Sequence, residues 1–285
     1  MSEVNGRKHV YHAEATVLKG HLRLPVAQEI KPQAFAQLPE RGGYITQRLA
    51  DYRLESVISF RSAYSQVSGN RSTKQGQGWS TLTTCVIEGL NVLDVVTADR
   101  VVGQTITEHP VEGYVPSISF LGTRFENLRI GGHPVKLDLD LDLFGSKPAG
   151  DAPYTKDAGF VSRVSSQYER IHQHKDLPDE IHERYNRLPA SFEKSGSNQE
   201  KVECSLVNNA EGTYPGRTFG HVIKVPDFGT ITLARLTLEH EDFKEETGAP
   251  KRTTVHLTML DFKLGCVIDG IAPVGTGSTN GGTQP

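Results

Sequence analysis

The chain lacks the features that most directly betray an activity. Basic charge is not in excess: 31 Lys and Arg stand against 34 Asp and Glu, a formal net charge of −3. Surfaces that hold a polyanion carry a basic stripe, so nucleic acid is not an expected partner. No window is long and apolar enough to cross a bilayer as a helix, so membrane insertion is not expected either. The first twenty residues contain no apolar h-region, so a conventional secretory leader is absent and the default location is the cytoplasm. Cysteine is scarce. Cys85, Cys204 and Cys266 lie far apart, without CxxC or Cys/His spacing, and read as buried thiols; one disulfide fits the count, but a disulfide framework does not. There is no G-x-S-x-G elbow, no P-loop and no dinucleotide fingerprint, so no cofactor is expected.

What is present is a β pattern. Glycine is abundant (28) and methionine rare (2), as in a turn-rich β protein. The stretch 127–145, NLRIGGHPVKLDLDLDLFG, reads as strand, tight turn and strand. Gly131-Gly132 supply the positive φ that hairpin turns need. Leu137, Leu139, Leu141 and Leu143 then alternate with Asp138, Asp140 and Asp142, a period of two that no helix accommodates. This hairpin is expected at the centre of the domain.

Strands are also expected over 15–26, 52–67, 79–88, 90–108, 115–120, 123–130, 202–208, 217–225, 230–240 and 253–267. The pattern 52–67 reads as one long strand, and 33–38 as a single helical turn. Gly89 breaks 79–108 into two strands; Asp94 and Asp99 mark bulges or solvent-facing positions. Phe160, Val164, Tyr168 and Ile171, then Ile181, Tyr185 and Leu188, recur at helical spacing, giving an αα hairpin over 157–190 with Pro178 in the first turn of its second helix. Its narrow apolar stripes place it on the β body or on a partner chain. The expected organisation is a flexible 1–14, one β domain over 15–269 carrying the helical insert, and a Gly/Thr/Ser/Pro tail over 270–285 read as flexible. The expected fold is mainly antiparallel β, a sandwich or distorted barrel.

Several phrases resemble the bacterial choice-of-anchor β domains of cell surfaces. They are Glu88-Gly89-Leu90-Asn91-Val92-Leu93 with Thr97-Ala98-Asp99, the run 125–135 (FENLRIGGHPV), the run 225–233 (VPDFGTITL) and Thr254-Val255-His256-Leu257. The resemblance covers 80–268 outside the helical insert and rests on strand-and-turn patterns. It implies a β-sandwich with a structural or adhesive surface role. No anchor is recognisable, and with no leader the surface location conflicts with the cytoplasmic default.

Four features invite a functional reading. The Asp138, Asp140 and Asp142 ladder suits a solvated face, an ionic interface with Arg163, Arg170, Lys175, Arg184 and Arg187 of the insert or with another subunit, or a Ca²⁺-binding edge. A flat strand splays its carboxylates about 7 Å apart, which argues against the ion. His172, His174 and His182 with nearby acids lack the i, i+4 spacing of a zinc helix. The acidic run from Glu239 to Glu246 reads as a solvated hairpin tip. Trp79, in a QGQGW loop, offers a ring for stacking on a sugar, or fills the core. Together these readings give a non-catalytic structural protein that self-associates or joins a larger assembly. The alternatives are a module for carbohydrate or Ca²⁺ and, beyond it, a hydrolase of unfamiliar type.

Overall fold

The structure is a computed structural model; it describes residues 2–4, 7–24, 27–186, 199–241, 252–265, 269–279 and 282–284. Two antiparallel sheets face one another as a sandwich, and neither closes into a barrel. The first has eight strands. Its order is His133–Pro134, Arg129–Ile130, Val96–Pro110, Gln77–Val92, Ile58–Arg71 and Gly43–Leu54, with Ser117–Ser119 and Arg124–Glu126 also pairing with 96–110. The second has nine, in the order Arg217–Phe219, Val222–Val225, Gly229–Glu241, Arg252–Gly265, Asp269–Thr279, Ala13–Leu22 and Gln28–Gln33. Gln199–Ser205 joins 229–241, and Ala36–Gln37 joins 13–22. Small sheets are made by Lys136–Leu139 with Val207–Glu211, and by Ser2–Val4, Arg7–Val10 and Gly282–Gln284.

Both sheets are creased along a line that crosses their long strands. In the first sheet Asp51, Gly89 and Asn127 take left-handed φ values of 51°, 65° and 52°. Pairing steps over them without losing register: Ala50↔Ser62 is succeeded by Tyr52↔Phe60, and Glu88↔Arg100 by Leu90↔Ala98. The second sheet repeats the device at Ala234, Gly275 and Ala34, with φ of 41°, 68° and 45°; Leu233↔Leu260 gives way to Arg235↔Thr258, and Thr258↔Thr276 to Leu260↔Val274. A left-handed residue inside a strand reverses the facing of the residues beyond it, as a bulge does. Cys85 and Ile87 point into the core before the crease, Leu90 and Val92 after it. In the other sheet Ile231 and Leu233 are succeeded by Leu236 and Leu238. An unbroken strand would bury residues of one parity only. Glycine takes this conformation freely, whereas alanine pays about 1 kcal/mol or more.

The crease also locks the sheets together. Met259, wholly buried, points at Gly103 of the facing sheet, where an added Cβ would lie 2.7 Å from its Cγ. The Ser65 hydroxyl donates across to the carbonyl of Ala34.

Several expectations change here. Residues 52–67 are a strand end, a three-residue loop at 55–57 and a second strand, closed by Val57 N–H donating to the Leu54 carbonyl at 3.0 Å. The strands around Gly89 are one strand; the true turn comes later at Leu93-Asp94 (φ 54° and 55°), where Asn91 and Asp94 bond each other. Residues 33–38 form no helical turn: strand residues stand on either side of the left-handed Ala34. The stretch 129–139 is not central. Its tight turn at Gly131-Gly132 exists, but 129–130 and 133–134 form the short margin of the eight-stranded sheet, and 136–139 leaves for the two-stranded one. The N-terminal segment pairs from residue 2, and His9 and Tyr11 are buried.

The helical hairpin is present as α1 (Ala158–His172) and α2 (Asp179–Tyr185), with Pro178 as the N-cap of α2. Asp157 caps α1, accepting from Phe160 N–H at 2.8 Å. Phe160, Val164, Tyr168, Ile171, Ile181 and Tyr185 are all buried in the main core. The hairpin therefore sits on the β body of its own chain. Leu188 and Pro189 lie outside the described residues.

The largest revision concerns 269–279. This Gly- and Thr-rich segment, expected as part of a flexible tail, is a strand between 252–265 and 13–22. Its small residues suit the narrow gap under the facing sheet: an added Cβ on Gly277 would meet the Thr83 hydroxyl at 2.9 Å. A chain ending at residue 268 is expected to lose cooperative thermal unfolding by circular dichroism, because 13–22 and 252–265 would each lose a partner; a sharp transition in that variant would contradict the assignment.

Candidate functional site: an open edge and a groove

Three of the four sheet margins are blunted. The strands 133–134 and 217–219 span two and three residues; 199–205, which shares the margin with 217–219, has its outward backbone groups at Glu203 and Ser205 taken by Tyr168 and Gln167 of α1; and 28–33 carries Pro32, which cannot donate a ladder hydrogen bond. The fourth margin is 43–54, twelve residues paired with 58–71 along its length and, among the described residues, with no strand on its other side. Natural edges are shortened, charged or bulged. Here the bulge and two of the charges come late, at Asp51 and Arg53, whereas 43–50 (GYITQRLA) carries one charge, Arg48, and no proline. Tyr44 is 57% exposed.

Beside this edge the outer face holds an open groove of about 410 Å³. The strand 43–54 contributes Arg48 and Ala50, 58–71 contributes Ser62 and Tyr64, and 77–92 contributes Val86 and Glu88. The crease sets this composition, because it turns Ser62 and Glu88 outward one row from where Phe60 and Leu90 turn inward. Ser62 Oγ donates to Glu88 Oε2 at 2.7 Å. Arg61 and Arg100 flank that carboxylate at 3.9 and 3.8 Å. The Arg48 guanidinium lies 5.9 Å from the Tyr64 ring centroid, within cation–π range. Spacing within one strand does not reveal this site, because its residues come from three strands.

The residues singled out by sequence fall elsewhere. Asp138 is exposed on the two-stranded sheet, beside a depression of about 230 Å³ that Lys136 and Glu211 also line. The strand ends at Leu139, and Asp140 turns to accept from Asp142 N–H at 3.1 Å. Among the described residues, no basic side chain of the insert pairs with these carboxylates. Arg163 donates to the Leu143 carbonyl at 2.7 Å and Arg170 to the Asn208 carbonyl at 3.2 Å. Arg184 pairs with Glu203 at 2.6 Å and faces Asp261 at 3.9 Å. Arg187 lies outside the described residues. Among the described residues no three His, Cys, Asp or Glu side chains converge as a metal set. His172 and His182 meet edge to face, with centroids 5.4 Å apart. Of the acidic tip, Glu239 pairs with Lys201 and Glu241 with Arg252, each at 2.7 Å; the residues from Asp242 to Glu246 lie outside the described residues. Trp79 is fully buried and stacked on His9 at 4.9 Å, so sugar stacking is excluded for it. Cys85 and Cys204 are buried free thiols whose pKa values burial raises; Cys266 lies outside the described residues.

The insert is fastened by a polar clasp. Gln167 grips the backbone of Ser205 twice, at 2.7 and 3.0 Å, and the Tyr168 hydroxyl donates to the Glu203 carbonyl at 2.9 Å. Arg235 pairs with Asp261 at 3.1 Å, next to Arg184 and Glu203. Lys263 bonds Glu180 at 2.6 Å and holds its carboxyl below the usual range. Beneath, Tyr185 and His221 share a hydrogen bond of 2.9 Å; burial, reinforced by Arg184 and Arg170, pushes His221 down to about 3.

A family model matches residues 9–239. The chain belongs to this family, described as a domain of unknown function, DUF8256. No curated protein and no solved structure matches the chain. The DUF8256 match takes in the open edge, the groove and most of the clasp. It stops short of 252–265 and 269–279, which stand between 229–241 and 13–22 in the sheet. The folded unit is therefore longer than the matched segment.

Buried neutral histidines make stability depend on pH. His9 is pushed down to about 4 and His109 well below its ordinary value, in each case first by burial. A histidine whose folded pKa lies below its unfolded value of 6.5 binds its proton more readily when unfolded. Its contribution is complete above 6.5 and is lost as pH falls toward the folded pKa. Urea denaturation between pH 7 and 5 should show stability falling with acid, and His221→Gln should lower that slope by up to about 1.4 kcal/mol per pH unit. An unchanged slope would count against the assignment.

Proposed function

We propose that this chain is a non-catalytic structural β protein that self-associates, pairing the 43–54 edge of one copy with the same edge of another, alone or within a larger assembly. The observation that carries the reading is the contrast among the margins. Three are short, interrupted or held by the helical insert, and one presents the outward-facing donors and acceptors of alternate residues along a twelve-residue strand. Unpaired strand edges are templates for strand addition. An antiparallel pair of identical edges is self-complementary and closes as a two-fold dimer. A surface-exposed adhesive role, as the choice-of-anchor resemblance implies, belongs to the same proposal.

Size-exclusion chromatography with light scattering should find a dimer or larger species whose population rises with concentration. Tyr44→Lys combined with Thr46→Lys adds charge to the edge strand, and should give a monomer with unchanged circular dichroism. A strict monomer of the native chain across a wide concentration and salt range would sink the reading.

A further inference from the structure

We propose that the groove on the outer face of the eight-stranded sheet binds a carboxylated sugar, the uronate unit of an acidic oligosaccharide. The floor is small and apolar, formed by Ala50, Val86 (2% exposed) and the Tyr64 ring. Such a floor accepts the C–H face of a pyranose, and the groove volume suits a small ligand. Around it stand groups that read hydroxyls. Glu88 is held in one orientation by Ser62 and flanked by Arg61 and Arg100, so its remaining acceptor capacity is fixed in direction. Arg48 supplies the charge. It makes no ion pair among the described residues and lies against Tyr64, leaving its planar fork for a ligand carboxylate, which guanidinium binds in bidentate fashion. Arg48, Arg61 and Arg100 against Glu88 give these four side chains a net charge of +2. A peptide strand would be drawn to the backbone edge, not to this face, and a nucleic acid needs a longer basic stripe. The groove projects from the sheet face and edge pairing runs in the sheet plane, so ligand binding stands or falls separately from self-association.

The test is an amide chemical-shift titration of the full chain with trisaccharides of galacturonate, mannuronate and guluronate, using methyl-esterified trigalacturonate as the neutral control. Shifts are expected at 48–50, 62–64 and 86–88 with at least one acid. Affinity should fall about tenfold or more on esterification and in Arg48→Gln, and binding should vanish in Tyr64→Ala. Tyr64→Ala, on the strand 58–71 behind the edge, should leave the light-scattering mass of the unliganded chain unchanged, which separates this site from the assembly edge. The proposal is overturned if none of the three acids shifts these amides, if the shifts fall elsewhere, or if acid and ester bind equally.

Discussion

Register preservation across a change of facing is the constraint on which this structure depends. Each sheet keeps its hydrogen-bond pairing while a row of left-handed residues reverses the side on which the strands present their side chains. One irregular strand alone would place apolar groups in water and polar groups in the core beyond the irregularity. When alternate strands carry the device in one row and their neighbours conform, the reversal is shared and the core stays continuous. Ala34 and Ala234 show that this conformation is imposed by the sheet rather than chosen by the residue, since alanine enters it at a cost.

That constraint explains which parts of the fold are legible in the sequence. Mainly antiparallel β structure and the helical hairpin are, because period-two runs and the Phe160, Val164, Tyr168, Ile171 stripe are local signals. The turn at 55–57 is not, because Glu55-Ser56-Val57 contains no glycine, proline or asparagine and the apolar alternation runs on through it. Leu93-Asp94 is hidden inside an apolar run for the same reason. Gly89 has the look of a break, but its role is to reverse a strand, not to end one. The 269–279 segment has the composition of a linker, yet its glycines are the condition for lying close beside Met259 of its own sheet and under Thr83 of the facing one. Composition describes what a segment can do alone; here the facing sheet decides.

The candidate site is less legible than the fold. The aspartate ladder stands out because its residues are neighbours in sequence, and it ends on a peripheral two-stranded sheet. Arg48, Tyr64 and Glu88 do not stand out in their own strands. They converge only when three strands are laid side by side in the register that the crease sets. The basic residues of the insert do interact, as their density suggests, but their partners are Glu203, Asp261 and backbone carbonyls. The clasp they form holds the insert to its own sheet.

The open edge and the groove share residues without sharing atoms. Residues 48–50 offer backbone groups in the plane of the sheet and side chains perpendicular to it. Just beyond, the crease at Asp51 turns Tyr52 inward to stack on Phe60 at 4.9 Å, and the same reversal leaves Ser62 and Glu88 facing out. A straight strand would have continued one facing past Ala50. The geometry that bounds the regular part of the edge also forms the wall of the groove, so an assembled pair of edges would carry two such grooves on one continuous sheet face.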